Sequence, residues 1–378
     1  MFQTGLDILL RERADLVRGQ RVGLVAHSAA VAHDLTWGPI ALLRAGVRLV
    51  ALFDTEQGLS GAAAIGTSET PETDVRTGLP LHELYELSYE PSAAMLNAID
   101  VLLFDMQDVG ARFYTPLNAL YAVLRGAARA RTPVVVLDRP NPITGLTLEG
   151  PPVELGYESS IGAVALPIRH GLTIGEAALF MNEVCGLGAP LTVVEMRGWR
   201  RGLWFDQLGR LWVLPSSALP HLSTAAVYPG MCLLEGTNLA HGRGTALPFE
   251  LCGAPWVDGD ALAERLNTLR LPGVSFRALR FVPQASLFAG QACGGIQVHV
   301  TDRALFQAVA VGLHVITTIR ELYPGEFSWH TNHFDLLMGS TRTREAVEAG
   351  VPVGEIVESW RDALARYEQQ RAAVLRYP

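Results

Sequence analysis

The chain contains no lysine: all 30 of its basic residues are arginine. Without an ε-ammonium it has no Schiff-base nucleophile, and no lysine to reach a nucleotide phosphate from a glycine-rich loop. A GC-rich coding sequence accounts for the same bias. Cysteine is scarce. Cys185, Cys232, Cys252 and Cys293 are far apart and form no C-x-x-C pair, which excludes a zinc knuckle and a dithiol redox motif. Positive charge is in deficit, with a net charge of −8 and a pI near 5.7. Broad attraction to nucleic acid or to an anionic membrane is therefore not expected. No run is apolar enough to span a bilayer, since even Ala304–Ile319 is interrupted by Gln307 and His314. The opening MFQTGLDILLRERADLV breaks its apolar run with acid and arginine, unlike a secretory signal. As written the chain reads as cytoplasmic, or as periplasmic or secreted if a leader has been removed.

Apolar residues make up 49% of the 378-residue chain, enough for two domains with substantial cores. Up to residue 140, β-rich runs alternate with helical patterns. The segments are Arg21–Ala26, Trp37–Ala45, Val47–Phe53, Asp100–Asp105, Leu117–Ala130 and Val134–Asp138. This rhythm predicts βαβ crossovers, and the non-alternating apolar strands predict a parallel sheet covered on both faces. From about residue 150 the texture changes to proline and glycine punctuation with many tryptophans. An alternating strand at Gly295–Val300 follows, then helices near Arg303–Leu322 and Val353–Leu375. The expected fold is α/β: a Rossmann-like parallel-sheet domain over 1–150, carrying the catalytic loops, with an α+β domain over 151–378 closing the cleft.

In such a sheet the loops after the strand carboxyl ends converge on one crevice. Those loops hold His27–Ser28, DTEQGLSG (54–61), DMQDVGARFY (105–114) and DRPNPITG (138–145). No G-x-G-x-x-G follows the first strand, so a dinucleotide is not expected, and no other cofactor is indicated. Glu56 stands just past an apolar strand, where partial burial raises a carboxyl pKa and suits a general acid; holding the turn is the alternative role. Asp105, Asp108 and Asp138 supply the further carboxylates that glycoside hydrolysis needs, or else pair with Arg112 and Arg139 in a structural network. Arg112, Arg139 and Arg243, in loops with small or proline neighbours, present forked donors suited to a carboxylate ligand or to loop carbonyls. Tyr114 suits stacking on a sugar ring, donation to a reacting oxygen, or core packing. His330 and His333, with Asp335, form a weak metal pattern better read as surface or packing residues. Ser216 or Ser217 with His221 or His241 lacks a G-x-S-x-G elbow, which argues against a serine hydrolase.

Taken in order, FDTEQGLSG, FDMQDVGARFYT, VVVLDRPNPITG, LPIRHGLTIGEAA, MCLLEGTNLAHGRGTALPFELCGAPW and the closing VLRY resemble segments of the bacterial exo-acting β-N-acetylmuramidases. The likeness spans almost the whole chain. It implies a Rossmann-like domain joined to a carboxyl-terminal domain with a cleft at their boundary, and release of N-acetylmuramic acid from the non-reducing end of peptidoglycan-derived glycans. The proposed catalytic glutamate of the family falls on Glu56, the Q-D-V-G-A-R-F-Y segment on Asp108, Arg112 and Tyr114, and G-R-G-T on Arg243 and Thr245. Asp105 is the other candidate for second carboxylate. Gln57, Gln107 and Arg112 are expected to bind sugar, as are Asp138, Arg139 and Asn141 in the fourth loop and Glu235, Arg243 and Thr245 in the second domain. The chain has Glu56-Gln57-Gly58 where the family has Glu-His-Gly, Pro215-Ser216-Ser217-Ala218 for Pro-Ser-Pro-Asn, and His27-Ser28 for Asn-Gln. These departures leave a binding or sensing protein for acidic amino sugars as the alternative to an enzyme.

Overall fold

The structure, a computed structural model, describes residues 2–55, 59, 73–84 and 89–378. The chain divides into two compact units. The first comprises Met1–Thr147, Gly171–Ser217 and Glu368–Pro378, and the second Leu148–His170 and Ala218–Tyr367. The sheet unit thus takes in three separate stretches of the chain, with Leu148–His170 and Ala218–Tyr367 assigned to the other.

The first unit is built on six parallel strands: β1 (Val22–Ala26), β2 (Leu49–Asp54), β3 (Leu81–Glu83), β4 (Val101–Asp105), β5 (Val134–Leu137) and β6 (Leu191–Val194). Their order is β3-β2-β1-β4-β5-β6. Every residue of β1, β4 and β5 is buried, the pattern expected of strands covered on both faces. The edges β3 and β6 are only half-buried. From β1 the chain winds outward through β2 to β3, and from β4 in the opposite direction through β5 to β6. The reversal point lies between β1 and β4, which pair from Val22↔Val101 to Ala26↔Asp105. This crevice is where open α/β sheets bind ligands.

The β4-to-β5 crossover is the helix Thr115–Ala130, whose buried Leu117, Leu120, Val123, Leu124 and Ala127 recur at three- and four-residue spacing. Pro116 sits in its first turn, where no N–H partner is lost. The return to β6 runs through the helix Ile174–Leu179. Its start carries a capping box in which Thr173 Oγ1 accepts the Glu176 N–H at 3.1 Å and a Glu176 carboxylate oxygen accepts the Thr173 N–H at 3.0 Å.

The second unit contains the antiparallel strands β7 (Leu251–Ala254), β8 (Val274–Phe281) and β9 (Cys293–Val300) in the order β7-β9-β8. The helices Leu222–Met231 and Ala308–Leu322 cross with backbones almost touching: a Cβ at Gly230 would lie 1.7 Å from the Ala308 carbonyl oxygen, so only glycine fits. The stretch 353–375 forms two helices, Val353–Glu358 and Arg361–Arg371. Among the described residues no helix is long and apolar enough to cross a membrane.

Candidate active site

Glu56 and Gln57 lie outside the described residues. β2 ends at Asp54, whose buried carboxylate accepts the Thr55 N–H at 2.7 Å.

At the reversal point, His27 from the β1 loop meets the β4 loop directly. Its Nε2 lies 2.6 Å from the Gln107 backbone nitrogen and its Nδ1 lies 2.9 Å from that of Ala29. A neutral imidazole has one acceptor nitrogen, so it can accept fully from only one of these N–H groups. The shorter contact favours acceptance from Gln107, tying the two loops together. Burial, reinforced by the charge of Arg139, pushes the His27 pKa down to about 3, so the ring stays neutral at ordinary pH.

Beside it, Arg139 grips Asp105 with two parallel hydrogen bonds, Nε to Oδ1 at 2.5 Å and Nη2 to Oδ2 at 3.0 Å. The Asp105 side chain is 0% exposed and that of Arg139 4%. Arg139 Nη2 also donates to the Val31 carbonyl at 3.2 Å. Both Asp105 oxygens are thus engaged by a guanidinium in the interior. Gln107 is spent on the loop's own backbone, donating to the carbonyls of Asp108 and Pro140, each at 2.7 Å. Asp108 Oδ2 accepts the Gly110 N–H at 2.7 Å in a local turn. Gly110 has φ +82°, and a Cβ there would fall 2.6 Å from Asn141 Oδ1, so the turn needs glycine. Asn141 closes the fourth loop, accepting from Ile143 N–H at 3.2 Å and donating to the Leu172 carbonyl at 2.9 Å. Arg112 and Tyr114 are buried, and burial lowers the Arg112 pKa to about 9.

Asp138 is the centre of a second network. Its Oδ1 accepts the N–H groups of Arg139 (2.9 Å) and Gly175 (2.7 Å), while Oδ2 accepts from Thr173 Oγ1 (2.9 Å) and the Tyr377 hydroxyl. Next to it Glu176 takes both terminal nitrogens of Arg201, at 2.7 and 2.9 Å. Complete burial raises the Asp138 pKa from 3.8 to about 7; the Tyr377 hydrogen bond opposes the rise and the Glu176 charge adds to it. Because the folded carboxyl is the weaker acid, the native state holds more protons than the unfolded chain between roughly pH 4 and 7. Its contribution to stability is therefore present at low pH and fades as pH rises through this window. Asp138→Asn removes that dependence. In denaturant titrations, its stability relative to the parent protein should rise by about 1.4 kcal/mol per pH unit from pH 4 to 7. Parallel curves for the two proteins would contradict the raised pKa.

The second unit carries its own polar cluster. Glu235 accepts from Arg243 Nε at 2.9 Å, and His333 Nε2 stands 3.8 Å from its other oxygen. Burial alone would raise the Glu235 pKa, but the nearby His333 imidazole and the charge of Arg243 outweigh it and hold the carboxyl at about 2. Thr245 is used internally, its hydroxyl donating to the Gly242 carbonyl at 2.6 Å. His330 Nδ1 lies 3.3 Å from the Glu235 carbonyl oxygen. Among the described residues no group of three or more His, Cys, Asp or Glu is arranged to hold a metal ion.

Residues 22–223 match the family described as exo-beta-N-acetylmuramidase NamZ, N-terminal, and residues 226–377 match its C-terminal counterpart. The chain belongs to the NamZ family. It is 41% identical over 377 residues to the peptidoglycan beta-N-acetylmuramidase NamZ of Bacillus subtilis (strain 168), an alignment covering 99% of this chain and 91% of that one. Two crystal structures of DUF1343 family proteins from Bacteroides fragilis NCTC 9343 share the fold. One has TM-score 0.93 at 32% identity and the other 0.80 at 26%, each match covering 100% of this chain and 99% of the other. The resemblance read from the loop motifs is therefore correct, as is the two-part α/β architecture.

Within the NamZ fold of this chain, the first unit brings Asp105, Gln107, Asp108, Asp138, Arg139 and Asn141 into one connected set of loops. Glu235, Arg243 and Thr245 belong to the second unit. Sequence reasoning missed Thr173, Glu176, Arg201 and Tyr377, whose contacts to Asp138 or to each other reach across as many as 239 positions. The only advance signal was that LPIRHGLTIGEAA and VLRY stood among the resembling segments.

Proposed function

We propose that the chain is an exo-β-N-acetylmuramidase that releases N-acetylmuramic acid from the non-reducing end of peptidoglycan-derived glycans. The observation carrying this reading is the 41% identity, across 99% of the chain, with a protein named for that activity. Glu56 acts as the general acid, protonating the glycosidic oxygen as oxocarbenium-like charge develops at the anomeric carbon. Asp108 is the second carboxylate. Tyr114 and Gln57 contact the sugar, and Arg112 binds the lactyl carboxylate, for which a forked guanidinium is geometrically suited.

Asp105, Gln107, Asp138, Arg139 and Asn141 hold the loops in place instead of touching the sugar. Their hydrogen-bonding groups are already engaged in the interior, and a buried ion pair is costly to open. The cavity that Gln107 and Arg139 line in the first unit is about 20 Å³, room for a water but not for a saccharide. Glu235 orients Arg243, and Thr245 shapes the loop that carries it.

The direct test is incubation of the protein with a defined glycan bearing terminal N-acetylmuramic acid, with free sugar followed by chromatography. Stepwise release of single N-acetylmuramic acid residues is the expected result. Internal cleavage, or release of N-acetylglucosamine alone, would overturn the assignment. Saturable binding without any release would point to the sensing role.

A further inference from the structure

The segment Glu368–Pro378 belongs to the first unit and ties together stretches of that unit that are far apart in sequence. Arg371 Nη1 donates to the carbonyls of Gly145 and Gly171, at 3.0 and 3.2 Å. The Arg376 N–H donates to a Glu176 carboxylate oxygen at 2.8 Å, and the Pro378 carbonyl accepts the Arg201 N–H at 2.9 Å. Tyr377 stands at the centre of this strap. Its ring lies edge-on to Trp199, with centroids 5.2 Å apart and planes at 88°. Its hydroxyl accepts the Met196 N–H at 2.9 Å and donates to Asp138 Oδ2. A hydroxyl has a single proton, so with Met196 acting as donor that proton is directed at Asp138.

Asp138 opens the loop after β5, and the three residues that follow it each hold the stretch 105–110. Arg139, whose N–H bonds to Asp138 Oδ1, grips Asp105 through its guanidinium. The Pro140 carbonyl accepts from Gln107 Nε2 at 2.7 Å. Asn141 packs so closely on Gly110 that a Cβ there would lie 2.6 Å from its Oδ1. Asp108 sits inside the stretch so held. The residues beyond it are seated separately: the Tyr114 N–H donates to the Ala111 carbonyl at 3.0 Å, and Asn118 of the following helix donates to the Arg112 carbonyl at 3.4 Å.

Resting on the muramidase reading, we propose that Tyr377 is a positioning residue for the reaction: its hydroxyl fixes the Asp138 loop, and through that loop sets where Asp108 stands. The influence passes by direct contacts within one unit, from the hydroxyl to Asp138, from Asp138 to Arg139, and from Arg139 to Asp105. Tyr377 itself touches no sugar in this scheme. A small displacement of a reacting group is costly even when its origin is remote.

The test compares Tyr377→Phe, which keeps the ring against Trp199 and deletes the hydroxyl, with Asp138→Asn and with the double variant. All are assayed at a temperature where near-ultraviolet circular dichroism shows them folded. With a β-N-acetylmuramide, Tyr377→Phe should lower kcat about tenfold and change KM less than about threefold, because Asp108 shifts while Arg112 and Tyr114 keep their seats. The double variant should lose no more than Asp138→Asn alone, as required if Tyr377 acts through Asp138. Backbone hydrogen exchange, followed by mass spectrometry, should quicken about tenfold over 105–110 and 138–145 in Tyr377→Phe and keep the parent rate in β7, β8 and β9. A folded Tyr377→Phe with the parent kcat would overturn the proposal. So would losses that simply add in the double variant, or exchange that quickens only within 371–378. A parent protein that releases no sugar would instead refute the muramidase reading, and the exchange comparison would still decide whether Tyr377 holds the 105–110 stretch.

Discussion

Glu56→Gln is expected to lower turnover of a β-N-acetylmuramide with a poor leaving group by roughly 10²–10⁴-fold, the usual contribution of a positioned general acid. Glutamine matches glutamate in volume and can still accept a hydrogen bond, but it has no proton to give the departing oxygen. KM should therefore change little while kcat collapses. A leaving-group series isolates the cause. With an activated aryl glycoside the departing oxygen needs little protonation, so the same variant should lose far less than with an alkyl or sugar aglycone. A loss equal for both leaving groups would mean that Glu56 orients substrate instead of donating a proton, and an undiminished rate would remove it from the reaction. β2 delivers the chain to this point with every residue from Ala51 to Thr55 buried, and Asp54 fixes the first peptide beyond the strand.

How much of this was legible in advance follows from what each residue type had to satisfy locally. β1, β2, β4 and β5 are short apolar runs because both faces are covered, and such runs are visible without knowing their neighbours. β6 was not visible. Leu191–Val194 is half-buried at an edge and pairs with β5 only after the chain has left and re-entered the unit. Likewise, the acids of the loops could be read as chemically apt, but not which of them were already paired. Asp105 and Asp138 look alike in sequence, each ending an apolar strand. One is gripped by an arginine 34 positions away and the other by four donors, the farthest 239 positions away. Pairing of this kind is a property of the assembled sheet ends, and no local pattern encodes it. Family likeness located the polar loops because it compares whole segments, but it could not separate residues that hold a loop from residues that meet a ligand.

The Asp105–Arg139 pair offers the sharpest way to separate those roles, because the two sides of the pair have unequal consequences. Arg139→Ala leaves the Asp105 carboxylate at 0% exposure with its partner gone. Stripping one member from a buried pair costs roughly 3–5 kcal/mol, much of it the penalty of an uncompensated interior charge. Asp105→Asn should cost less, since the amide keeps the shape and Arg139 retains the Val31 carbonyl at 3.2 Å. Combining Asp105→Asn with Arg139→Met removes both charges and should recover most of the stability lost in Arg139→Ala; with Arg139→Met alone as the remaining corner, the double-mutant cycle should be strongly non-additive. Denaturant unfolding measures each corner. An Arg139→Ala loss below about 1 kcal/mol would mean that the pair is open or hydrated in solution. The doubly substituted protein also decides the chemistry of Asp105. If that carboxylate only sets the loop, a folded charge-free pair hydrolyses the muramide at near the parent rate; if it is the second catalytic carboxylate, the protein folds and stays inactive.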